Sequence, residues 1–141
     1  MASAALLALS LGVAAPAGAA TADGWRQEAD TVCRDGNTAV NISLSAAFPH
    51  GLPQPPTTDD LKLLAATAAP LFQAQHDLLA EIERPAKLKK KIKRMLKTFQ
   101  RGVDTLARGA ATGEVGAAGL DNALVPAAKQ AKKLGLQVCG A

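Results

Sequence analysis

Leu88, Ile92, Met95, Leu96, Phe99, Val103 and Leu106 return at intervals of three and four residues. At 100° per residue they fall within an arc of about 100°. A stretch that regular has one good solution, an amphipathic helix that buries one stripe and wets the rest. The remaining chain agrees with it. Alanine supplies 31 of the 141 residues, whereas Phe, Trp and Tyr together supply four. So many small helix formers with so few aromatic anchors favour closely packed helices over a β-sandwich or barrel. With 48% hydrophobic and 20% charged residues, the composition also excludes a disordered tail.

The same periodicity gives three further helices. The first spans Asp23 to about Ala47, with Trp25, Ala29, Val32, Cys33, Val40 and Leu44 on one stripe that Gly36 and Asn37 weaken. Phe48 to Pro56 is a stiff, proline-rich connector that no helix can enter. Thr57-Thr58-Asp59-Asp60 then supplies a hydroxyl cap and first-turn acids. From Leu61 through Leu64, Ala65, Ala68, Leu71, Phe72, Leu78 and Leu79 to Ile82 the spacing stays helical across Pro70, which reads as one kinked helix. Pro85 suits the first position of the third helix. Gly109 to Gly119 reads as a small-residue linker. A fourth helix over Leu120–Leu134 carries Pro126 as an early irregularity and ends at Leu134-Gly135-Leu136. Four amphipathic helices and no strand predict an all-α fold, an antiparallel four-helix bundle over residues 20–141.

Residues 2–20 are uncharged and apolar, with a Leu6–Val13 core and small residues at Ala17-Gly18-Ala19. The pattern predicts a cleaved signal peptide over residues 1–19, atypical or beginning upstream because no Lys or Arg stands near Met1. A retained N-terminal membrane anchor competes, weakened by Pro16 and by the alanine and glycine content. Export would place the only two cysteines, Cys33 and Cys139, in an oxidising compartment, where a pair closes as a disulfide. Bridging 106 residues constrains the unfolded chain by about 4–5 kcal/mol in the entropy model. A metal pair or a reactive thiol is the rival reading, and a metal needs more soft ligands than the chain offers.

Charge is distributed unevenly. Residues 86–108 carry nine basic groups and one acid, a net +8, while the rest of the chain carries seven and eleven, a net −4. Lys87, Lys89, Lys90, Lys91, Lys93, Arg94, Lys97 and Arg101 lie opposite the apolar stripe. Such a face suits anionic lipid headgroups or a wall polymer. A plain solvated face, partly neutralised by Asp77, Glu81 and Glu83, is the alternative. Nucleic acid fits poorly, since no aromatic residue interleaves the lysines to stack bases. These features predict a non-enzymatic exported envelope protein. The alternative function is a carrier of a small apolar ligand between the helices, which Pro70, Pro126 and the alanines could leave room for.

Other candidate chemistry is thin. No catalytic set, phosphate loop or zinc signature occurs, so no catalytic residue, metal or cofactor is expected. His50 and His76 stand alone, and Asp77 with Glu81 resembles any pair of surface acids. His76 and Met95 as axial haem ligands would lack a walled pocket. Asn41-Ile42-Ser43 matches a glycosylation acceptor by chance. A small exported chorismate mutase would need arginines converging inside the bundle, and Arg94 and Arg101 fall on the polar face. An early cysteine in the first helix, proline-rich turns and the closing Leu134-Gly135-Leu136-Gln137-Val138-Cys139-Gly140 resemble a group of small exported all-helical proteins. These occur in high-GC Gram-positive bacteria, some lipid-anchored and some secreted. The resemblance implies a disulfide-closed extracytoplasmic domain and brings no catalytic residue. This chain departs from the lipid-anchored members in having no cysteine directly after the apolar segment.

Overall fold

A computed structural model describes residues 21–140 of the chain. The export segment or anchor read at residues 1–19 lies outside the described residues. All regular structure there is helical: α1 (Ala22–Ala47), α2 (Thr58–Glu81), α3 (Lys89–Thr112), α4 (Gly116–Asn122) and α5 (Val125–Lys133). α1 packs on α2, α2 on α3, and α3 on both α4 and α5. No helix among the described residues is long and apolar enough to cross a membrane.

α1 starts at Thr21, whose hydroxyl accepts from the Gly24 N–H at 3.0 Å. It buries Trp25, Ala29, Cys33 and Val40. Gly36 does not break it, because that glycine sits against α2: a Cβ there would come within 2.6 Å of Gln75 Oε1. Thr57 and Asp60 form a full capping box at the start of α2, with the Thr57 N–H donating to Asp60 Oδ2 at 2.8 Å. α2 continues through Pro70 as one element. Pro70 and Ala66 are both exposed, so the carbonyl that loses its N–H partner faces water. Leu78, expected on the apolar stripe, is 53% exposed, and Gln75 is buried instead.

Three boundaries differ from the sequence reading. Pro85 is not the first residue of the third helix; it opens a turn closed by Leu88 N–H donating to the Pro85 carbonyl at 2.9 Å, and α3 begins at Lys89. The supposed linker from Gly109 is largely helical. Gly109 belongs to α3 because it lets Leu120 approach, its absent Cβ being 2.7 Å from Leu120 Cδ2, and Gly113 ends the helix at φ +70°. The fourth helix is broken between α4 and α5. Pro126 has no N–H for the Asn122 carbonyl and its ring would clash there, so it starts a new helix in the first turn of α5.

α5 ends in a Schellman turn. Leu136 N–H donates to the Ala131 carbonyl at 3.1 Å, Gly135 N–H to the Lys132 carbonyl at 3.0 Å, and Gly135 stands at φ +86°. Leu136 folds back to full burial. The tail beyond is tied to α1 three ways. Arg26 Nε donates to the Leu134 carbonyl at 2.8 Å, and the Asp30 carboxylate accepts from the N–H groups of Gln137, Val138 and Cys139. Cys33 and Cys139 form the disulfide the sequence predicted, with Cα atoms 5.3 Å apart. It is compatible with an extracytoplasmic location.

Candidate anionic-surface site

The side chains of α3 divide cleanly. Ile92, Met95, Leu96, Phe99, Val103 and Leu106 are buried, and all eight basic residues singled out in the sequence are exposed. Lys87 stands in the turn before α3, and the other seven lie along the helix. Lys89, Lys90 and Lys91 fill its first turn.

That placement opposes what helix stability alone would favour. The N-terminal end of a helix carries a partial positive charge, which acids relieve and lysines aggravate. The first turn of α3 contains no acid, and Leu88 provides no side-chain cap. The expected neutralising partners are not engaged either. Among the described residues Asp23 forms an ion pair with Arg26, and Asp77 Oδ1 lies in hydrogen-bond contact with His76 Nδ1 at 3.0 Å. Asp77 also accepts from Gln73 at 2.9 Å. Its carboxyl is held below the usual value, chiefly by the His76 hydrogen bond and then by Gln73. Glu81 and Glu83 are exposed and pair with no cation among the described residues.

One cation was missed by sequence reasoning. Lys133, from the last turn of α5, meets Lys91 and Arg94 across a groove of about 190 Å³ floored by Gln130 and Leu134. Gln130 is fixed there by donating through Nε2 to Thr98 Oγ1 at 3.0 Å. The adjacent Lys132-Lys133 pair was visible in the sequence. Its register against α3 was not, because that depends on the helix break at Pro126.

The remaining candidates are dispersed. His50 is exposed in the connector, and the His76 ring lies edge-on to Phe99 with centroids 5.9 Å apart. Arg94 and Arg101 are exposed. Among the described residues no three His, Cys, Asp or Glu side chains gather where a metal ion could sit.

No protein-family model, curated protein or solved structure matches this chain.

Proposed function

We propose that this is an exported, non-enzymatic helical protein of the cell envelope that attaches to a polyanionic surface, lipid headgroup or wall polymer, through α3. One observation carries the reading: eight exposed cations without an ion pair among the described residues, three of them crowded into the positive end of their own helix. Such crowding costs stability in the free protein, and phosphate or carboxylate groups of a surface would relieve it. Lys91, Arg94 and Lys133 add a groove where one anionic group can meet three cations.

The finer architecture belongs to the same proposal. Gly36 meets Gln75 while Leu44 shares a pocket with Leu64, and Gln73 meets Gln100 while Ala65 faces Gly109. Both pairings run in opposite directions and support an antiparallel four-helix bundle, its fourth helix formed by α4 and α5. The disulfide and the apolar segment at residues 1–19 support removal of a signal peptide, and a place in the exported high-GC Gram-positive group is proposed on the cysteine pair and the closing motif at residues 134–140 alone.

The test is co-sedimentation with vesicles rich in anionic lipid and with purified wall polymer. Lysines near an anionic surface contribute about 1 kcal/mol each. Changing Lys90, Lys91 and Lys93 to glutamate should therefore weaken attachment by more than about 100-fold, with helix content unchanged by circular dichroism. Attachment of the wild type should also fade toward 1 M salt, where the screening length is about 3 Å. A wild type that binds neither surface at low salt would sink the reading.

A further inference from the structure

The strongest feature outside the basic face is a buried amide. Leu61, Ala65, Ala68, Phe72, Gln75 and Leu79 follow each other at alternating steps of four and three along α2, so Gln75 holds a core position. It is 5% exposed, the one buried polar residue of the described chain, and its Oε1 has no hydrogen-bond partner there. Leucine would be the ordinary occupant of such a place, and a buried amide oxygen without a donor is costly. Room for it is built in, because Gly36 of α1 lets the amide lie where a Cβ would stand 2.6 Å from Oε1.

Gln75 also lines a cavity of about 180 Å³ that opens between the helices. Its walls are otherwise almost wholly apolar. Phe72 and Phe99, in edge contact at 6.3 Å, form one side with Met95 and Leu79, and Ala131 of α5 leaves the space opposite. Asn37 is the other polar wall residue, and no hydrogen bond joins it to Gln75 among the described residues. An apolar protein cavity of roughly 150 Å³ takes up benzene. The space is thus right for one aromatic ring with a small substituent and far too small for a lipid acyl chain.

We infer that this cavity binds a single-ring phenol, ring against Phe72, Phe99 and Met95, hydroxyl on the Gln75 amide. A phenol suits that amide in either orientation. Oε1 is closed off against Gly36, so the hydroxyl would accept from Nε2 or, after a half-turn of the amide, donate to the oxygen brought round in its place. The rim of the cavity includes the Cys33–Cys139 bridge, so the tail that closes the fold also frames the site. The inference goes beyond surface attachment and stands apart from it, because the ligand is uncharged and none of the eight exposed cations of the basic face lines the cavity.

Calorimetry on the oxidised full chain, in salt high enough to screen the basic face, would compare p-cresol with p-xylene, which is nearly the same shape without the hydroxyl. The wild type should bind p-cresol at least tenfold more tightly. Gln75→Met keeps the length and removes the amide; it should erase that preference while p-xylene still binds. Ala128→Phe, at the half-buried edge of the cavity, should block both. Equal affinity of the wild type for the two probes, or binding of neither, overturns the proposal without reference to any variant. So does a tenfold preference that survives Gln75→Met.

Discussion

Asp30 shows how much one side chain can organise. It sits on α1, yet its two oxygens accept from three successive backbone N–H groups of the tail, at 2.9 Å from Gln137, 2.8 Å from Val138 and 3.3 Å from Cys139. The tail has left α5 by then, so those groups have no helical carbonyl to use. Hydrogen bonds to a charged acceptor contribute about 1.5–3 kcal/mol when buried and less at a half-buried position. Asp30→Ala should therefore cost about 2–3 kcal/mol, read as a lower urea midpoint with an unchanged slope. Asp30→Asn should fall between, since an amide keeps one acceptor oxygen and presents an NH₂ where the other stood. Fluorescence of Trp25, the single tryptophan and fully buried, would follow the transition.

At the scale of the element, α2 and α3 begin in opposite ways. α2 has its capping box, and the Asp60 carboxyl is held below its ordinary value of 3.8, first by the Thr57 hydroxyl and then by the Thr57 N–H. A carboxyl whose folded value is depressed stabilises the fold above its unfolded value and loses that contribution as pH falls through the folded one. The gap in melting temperature between wild type and Asp60→Ala should hold steady from neutral pH to about 5 and close below 3.8. α3 has neither cap nor acid, so its first turn contributes no comparable acid-sensitive gap. Much of this was legible in the sequence. Thr57 and Asp60 announce the start of α2, the stripe from Leu88 to Leu106 announces α3, and the basic face follows from the same wheel. Other features depend on what the chain meets across space. Gly109 reads as a linker until Leu120 is seen against it. Gln75 reads as a surface glutamine unless its place in the four-three series is noticed. Lys133 joins Lys91 and Arg94 only through the break at Pro126.

The whole molecule is polarised in charge and closed in topology. The cations of α3 and the acids elsewhere give it a basic side that the net charge of +4 understates. The Cys33–Cys139 bridge spans 106 positions, so its loss releases a large unfolded loop, at a cost of about 4–5 kcal/mol in the entropy model. That approaches the whole stability of many domains this size. Cys33→Ser with Cys139→Ser should accordingly lower the urea midpoint more than Asp30→Ala does.

The position of that bridge also decides how the protein would carry a mechanical load. Tension entering at the start of α1 and leaving at Gly140 would run from Cys33 straight across to Cys139. Only the opening turns of α1 and Gly140 would bear it, while α2, α3, α4 and α5 hang slack inside the covalent ring. Stretched out, the sheltered segment measures roughly 350–380 Å. Under pull the oxidised protein is thus a short strap, and reduction would turn it into a long tether.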